Sequence, residues 1–375
     1  MEALRQEDIR KEFLALERSI YLNTAATGLL PLSTSEALNN LIRERSLKGP
    51  HYKEERDIIE STRVTVSKFL NCKASEVAFV PNTSSGISKI AQGIRLNPKE
   101  KLAYLFPDFP SNVYPWMWGA KRGLDVYPIR FDPKNFSLED LKSQIRPSTR
   151  LVALSHVHYV SGFRFPLAEI TRVLKREGVL VFVDMIQSLG AMPIDVKELG
   201  IDFMAAGSHK WLMGLPGAGI LYISEEVLPM VAPTELGWKS VKHEELFGKI
   251  DLDLKEDASS LEPGTLNTLG ILSIKKGIEL LEAYGMAKAW KEIYRWNRVM
   301  REELEAMGYE VVSPSEEQFA SGILSFRSGN PEGLYSTLLG AGIIVSLRNG
   351  LIRLSPHFYN DETDMVRTLK ILKEA

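Results

Sequence analysis

With 375 residues, 44% of them hydrophobic, the chain is long enough to bury a large core, and ordinary domain sizes point to one large unit with a smaller one. Forty-six Lys and Arg against 48 Asp and Glu leave a net charge of −2. This balance argues against the basic field that tracks nucleic acid or an anionic membrane and favours a small-molecule partner. Cys72 is the sole cysteine, so an internal disulfide and a multi-cysteine metal site are excluded.

The segment Met1-Glu2-Ala3-Leu4-Arg5 is too polar for a signal-peptide core, and the apolar runs are too short to cross a bilayer. No membrane association and a cytoplasmic location are therefore expected. From about Glu76 to Ile223 short β-rich runs alternate with amphipathic stretches, which predicts an α/β fold with a mostly parallel sheet covered by helices on both faces. In chain order, Val77 to Val80 reads as a strand, followed by the turn Pro81 to Gly86 and an amphipathic segment Ile87 to Ile94. Leu102 to Phe106 and Leu151 to Ser155 are further strands, Leu167 to Glu177 has helical spacing, and Val179 to Val183 and Gly219 to Ile223 complete the strands. Beyond Gly264 the pattern changes to a long helical stretch, Ser273 to Met307. Alternating segments at Gly322 to Phe326 and Gly342 to Leu347 and a last helix at Thr363 to Glu374 indicate a smaller α+β unit.

In such sheets the ligand crevice lies beyond the carboxyl ends of the strands. Asp184 stands at the end of a buried run, and Lys210 follows Gly207-Ser208-His209, so two opposite charges are aimed at one crevice. A lysine amine and a carboxylate suit pyridoxal-5′-phosphate (PLP) chemistry, in which the amine binds the aldehyde and later moves the α-proton while the carboxylate keeps the pyridine nitrogen protonated. Taken singly, each reads more commonly as a strand-end carboxylate or a solvated surface lysine; the pair in this context favours the chemistry. The turn carrying Thr83 and Ser84 offers hydroxyls and free N–H groups at a helix start, a place for a phosphate and also for an ordinary N-cap. Phe109, in Asp108 to Asn112, suits stacking on an aromatic ring as well as a core position. Arg353 interrupts the apolar run Leu351 to Leu354, where its guanidinium matches a substrate carboxylate or a structural ion pair. His156 and His158 share one face of a strand and, with Asp184 or His209, define a metal alternative that no further ligand spacing supports; no metal is expected.

Together, Tyr21 to Ala26, Asn82-Thr83-Ser84, Asp108 to Asn112, Asp184-Met185-Ile186-Gln187 and Ser208-His209-Lys210 resemble the class V aminotransferase family of fold-type I PLP enzymes, and the likeness runs nearly end to end. The resemblance implies a large domain, residues 16–255, with a mostly parallel seven-stranded sheet, and a small domain of residues 1–15 and 256–375. It implies that Lys210 is the Schiff-base lysine, Asp184 the pyridine partner and Gln187 a donor to the ring's phenolic oxygen. Thr83, Ser84, Ser208 and His209 would hold the phosphate, Phe109 would stack on the ring, and Arg353 with Asn23 and Tyr159 would contact the substrate. Glu262 to Asn267 resembles the family's Gly-Thr loop, whose Thr265 would reach the phosphate of a neighbouring subunit in a homodimer. Cysteine desulfurases of the family carry a nucleophilic Cys in a loop before the arginine segment, whereas here Val345 to Gly350 leads directly into Leu351 and no Cys is present. Phe109 replaces their stacking His, and Tyr159 occupies the neighbourhood of an Asn. The expected function is therefore transamination of a small amino acid, with β-elimination or desulfurase-like C–S cleavage as the alternative. A metal-dependent hydrolase and a non-catalytic PLP-binding protein are the readings from other classes.

Overall fold

The structure, a computed structural model, describes residues 6–133, 136–248 and 250–374. Residues 1–5, part of the expected small domain and of the polar amino terminus, lie outside the described residues.

The first part of the chain runs α1 (Gln6–Lys11), β1 (Ile20–Tyr21), α2 (Leu32–Lys48), α3 (Tyr52–Leu70), β2 (Val77–Val80), α4 (Thr83–Gly93), β3 (Lys101–Phe106), α5 (Tyr114–Lys121) and β4 (Asp125–Arg130). It continues through α6 (Leu138–Ser143), β5 (Thr149–Ser155), α7 (Leu167–Arg176), β6 (Leu180–Asp184), β7 (Phe203–Gly207) and β8 (Gly219–Ile223). After an irregular stretch come α8 (Thr268–Tyr284), α9 (Met286–Ala306), β9 (Glu310–Val311), β10 (Leu324–Arg327), α10 (Pro331–Gly340), β11 (Ile343–Ile344), β12 (Ser346–Arg348), β13 (Leu351–Leu354) and α11 (Glu362–Glu374).

Seven strands form the main sheet in the order β2-β8-β7-β6-β5-β3-β4. β8 runs antiparallel to both neighbours, and the other six strands are mutually parallel. Strands β5 to β8 are Val-, Leu-, Ala- and Phe-rich and almost wholly buried, as expected when helices cover both faces. The two-residue period of β2 divides its side chains: Ala78 and Val80 pack with Ile87 and Ile90 of α4, and Val77 and Phe79 with the opposite core that includes Ile271, Ile274 and Ile278 of α8. Asn82 starts α4, its Oδ1 accepting from the Ser85 N–H at 2.8 Å. The carboxyl ends of the six parallel strands thereby lie along one edge of the sheet.

Five strands fall where the sequence pattern predicts them. β4 has the alternating burial and the proline of an edge strand, and β7 is Phe-Met-Ala-Ala-Gly; neither shows a strong β signature. The helical stretch expected from Ser273 to Met307 is two helices divided at Gly285, whose φ of 95° ends α8 in a conformation that favours glycine. A second sheet, β12-β13-β10-β9, is antiparallel and packs on α9, α10 and α11 through Trp296, Met300, Phe326, Leu338, Ile352 and Met365. β1 pairs with β11 in a separate two-stranded parallel sheet, which ties the amino-terminal segment to the stretch just before β12. Among the described residues no helix is long and apolar enough to cross a membrane.

Candidate active site

A cavity of about 480 Å³ opens beyond the carboxyl ends of the parallel strands, between the main sheet and the β12–β13 hairpin. Each wall comes from the residues just after a strand: Thr83 and Ser84 follow β2, Phe109 follows β3, Tyr159 follows β5, Asp184 and Gln187 lie at β6, and His209 and Lys210 follow β7. Arg348, Asn349 and Arg353 close the far side.

At one end sits the start of α4, whose first-turn N–H groups and dipole favour an anion. Thr83 Oγ1 accepts from the Gly207 N–H at 2.8 Å, joining this turn to the strand that leads to Lys210, and Ser84 Oγ donates to Ser111 Oγ at 2.7 Å. The Lys210 turn is held from behind by Gly28, whose N–H donates to His209 O at 2.8 Å and where a Cβ would stand 2.0 Å from Lys210 O. No side chain fits there.

Burial pushes the Lys210 amine down to about 8; the Asp184 charge opposes this, while Arg353 and Arg348 add to it. Burial likewise raises Asp184 to about 6, against the Ile186 N–H at 2.9 Å and the charge of Lys210. Lys210 Nζ lies 5.9 Å from the centre of the Phe109 ring, which meets Tyr159 edge-on at 5.1 Å. Behind Phe109, Asp108 is buried and pushed up to about 7 by burial and by Asp184. It accepts from Ser155 Oγ, Phe109 N–H and Asn112 Nδ2 and so pins the loop. Arg353 is 2% exposed: one Nη donates to Tyr159 O at 2.7 Å and Nε has no partner. Burial and the neighbouring Arg348 lower Arg353 to about 10.

Of the residues singled out in the sequence, Thr83, Ser84, Phe109, Tyr159, Asp184, Gln187, His209, Lys210 and Arg353 line this cavity. Three do not. The Ser208 hydroxyl is buried and donates to Leu215 O and Ala218 O, Thr265 is exposed, and Asn23 pairs with Ser355 while its Oδ1 accepts from Ser346 Oγ. Adjacency to Lys210 in the chain did not determine where the Ser208 side chain points. His156 and His158 are buried, and among the described residues no three His, Cys, Asp or Glu side chains group as metal ligands. Sequence reasoning missed Arg348. Its signal was Asn349-Gly350 between two alternating runs, the mark of a two-residue hairpin; both residues have positive φ, 50° and 74°, and Ser346 faces Arg353 across the strands.

The family model described as aminotransferase class-V matches residues 20–365. The chain belongs to the class-V aminotransferase family. A relative named "Probable cysteine desulfurase" from Pyrococcus abyssi is 29% identical, covering 98% of this chain and 97% of its own length. The Bacillus subtilis "Uncharacterized aminotransferase YcbU" is 27% identical over 96% of this chain and 95% of its own. The solved apo cysteine desulfurase of Thermococcus onnurineus superposes with a TM-score of 0.90 at 27% identity, covering 100% and 99% of the two chains. The chain is thus an enzyme of a family that uses pyridoxal 5′-phosphate. The residues present fit that group: a buried amine of lowered proton affinity faces a carboxylate, free N–H groups start α4, and the polar Nε of Arg353 is left without a partner.

Proposed function

We propose that this enzyme transfers the amino group of a small amino acid, with Lys210 as the amine that holds the cofactor. The observation that carries the proposal is the opposition of Lys210 and Asp184 in one cavity with Arg353 on the facing wall. When bound, pyridoxal 5′-phosphate supplies an electron-accepting ring that stabilises negative charge at the substrate α-carbon. Asp184, ionised above about pH 6, holds the proton on the ring nitrogen. Thr83, Ser84, His209 and the α4 start bind the phosphate, with Ser208 shaping the turn behind them. Arg353 grips the α-carboxylate with its planar fork beside Tyr159, and Asn23 steadies the hairpin through Ser346. Lys210, whose amine burial makes less basic, would take the α-proton and deliver it to the cofactor carbon that carries the amino nitrogen, so that the nitrogen stays behind when the 2-oxo acid leaves.

The names of the desulfurase relatives favour a second reading, C–S cleavage of a sulfur amino acid. That reaction would proceed here without a persulfide on the protein, because Cys72 is the sole thiol and does not line the cavity. Incubation of the PLP-loaded protein and its Lys210→Ala variant with a panel of L-amino acids separates the two. Transamination yields the matching 2-oxo acid and a pyridoxamine form, whereas cleavage with β-elimination yields sulfide, pyruvate and ammonia from cysteine and water. A protein that takes up no PLP refutes both.

A homodimer, a cytoplasmic location and the division into residues 16–255 against 1–15 with 256–375 belong to the same proposal. Exposed Tyr114, Met117, Trp118, Trp238 and Phe247 supply apolar surface for a second copy, and Thr265 would then contact the partner's site. The separate core around Trp296 and Phe326 supports the small unit, although α8 packs on the large core. Sedimentation equilibrium, cell fractionation and limited proteolysis test these points. A monomer, a membrane-bound pool and cleavage away from these boundaries would each count against its part.

A further inference from the structure

Gln187 is 3% exposed and spends both ends of its carboxamide on fixed partners. Its Nε2 donates to Ala25 O at 3.0 Å, and its Oε1 accepts from Trp211 Nε1 at 3.0 Å. An indole N–H only donates and a backbone carbonyl only accepts, so the amide has one allowed orientation. Rotating it by half a turn would set donor against donor at Trp211 and acceptor against acceptor at Ala25, and both bonds would be lost. One Nε2–H remains, on a side chain that lines the cavity.

Trp211 is itself fixed from several directions. His357 Nδ1 accepts from the Phe358 N–H at 2.8 Å, so Nε2 carries the proton and donates it to Trp211 O at 3.1 Å. Burial holds His357 at about 3, and it stays neutral at working pH. The indole presses on Gly322 of the small unit, where a Cβ would lie 2.3 Å from the ring, and a Cβ at Gly190 would lie 2.6 Å from the Trp211 carbonyl carbon. The residue next to Lys210 in the chain is thereby locked, and through it so is the amide of Gln187.

We propose that Trp211 is a positioning residue for the cofactor ring: by occupying Gln187 Oε1 it turns the amide nitrogen into the cavity, where the remaining N–H donates to the ring oxygen. This rests on the proposal that Lys210 holds the cofactor. A donor at that oxygen stabilises its negative charge and lowers the proton affinity of the cofactor–lysine unit, so losing the donor raises it.

The test is a pH titration of the visible absorption band of the PLP-loaded protein without substrate. Gln187→Met removes the donor, and Trp211→Phe keeps an aromatic ring but leaves Ala25 O as the amide's sole fixed partner of the two. Each is expected to move the midpoint up by about one pH unit, the effect of one hydrogen bond. The double variant should move it no further, since both changes remove the same bond. A Trp211→Phe protein that titrates like the wild type overturns the proposal; so does a Gln187→Met protein that does, or a double variant with additive shifts. If Trp211→Phe does not fold, a benzothienyl analogue of tryptophan at that position keeps the bicyclic shape, replaces only the N–H, and must give the same upward shift. A wild type with no band, or a band that borohydride does not fix covalently to Lys210, is a different failure. It removes Lys210 from its role and this proposal with it.

Discussion

The protein without cofactor isolates the electrostatics of Lys210. Burial and the two guanidinium groups hold its amine near 8 rather than 10.5, and Asp184 opposes them. At pH 7 a group at 8 is neutral about one time in ten, whereas one at 10.5 is neutral about once in 3,000, a difference of about 300-fold in free amine. Replacing Asp184 by Asn removes the one group that raises the lysine, so its midpoint should fall by about one unit, the low end for a nearby opposite charge. Reductive methylation of the apoprotein as a function of pH, with Lys210 followed by peptide mass mapping, reads this directly. A wild-type midpoint near 10.5, or an upward shift in Asp184→Asn, would refute the reasoning. The same displacement bears on stability. Between about 8 and 10.5 the unfolded chain binds the proton and the folded one does not, so the apoprotein gains stability as pH rises through that window. Below 8 the cost is present in full, about 3 kcal/mol at 1.36 per unit, an upper figure because the side chain is only partly enclosed. Lys210→Met apoprotein should therefore be the more stable at pH 7, and the gap should close by about pH 10.5 in chemical denaturation.

Arg63 and Glu262 form a buried bidentate pair, at 2.8 and 2.9 Å, that ties α3 to the segment leading to Thr265. Arg63→Met, which strands the carboxylate, should cost about 3–5 kcal/mol in urea denaturation, and a cost under 1 kcal/mol would show the pair to be dispensable. Gly28→Ala puts a Cβ against Lys210 O, so the variant should lose its hold on PLP, read as loss of the visible band on dialysis; normal retention would mean the turn has slack. Cys72→Ser should leave every turnover rate unchanged, since burial pushes this half-buried thiol up to about 12 and it lies outside the cavity. Abolished sulfide release from cysteine would contradict that.

Much of the site is legible in the sequence because strand ends are legible. Val179 to Asp184 is an apolar run closed by a charge, and the crevice rule makes Asp184 a wall of the site on that pattern alone. Lys210 is legible for the same reason, although β7 itself, with two Ala and a Gly, is not. Gln187 is legible as a cavity residue but not as an oriented one, because its direction depends on Trp211, 24 residues away, through a bond no local pattern encodes. Thr265 and Asn23 enter through family resemblance alone. In a single chain Thr265 lies on the surface and Asn23 bonds to the hairpin, so what they could touch is a property of assembly and tertiary packing.

Under the proposed function, the hairpin is where this chain parts from a persulfide-forming mechanism. Asn349 and Gly350 close β12 onto β13 in two residues, both left-handed; Arg348 faces Leu351 directly beyond, and Ser346 faces Arg353 at the third pair. A turn that short leaves no chain from which a nucleophile could reach over the cavity, and what it presents instead is Arg348. The sole thiol follows α3 and precedes β2, on the side of the strands' amino ends, whereas Lys210 stands beyond their carboxyl ends. With Cys72 outside the cavity, the proposed reaction would be steered by how the cavity side chains orient the substrate. Arg353, Arg348 and Tyr159 line the cavity and, in that proposal, would set the orientation.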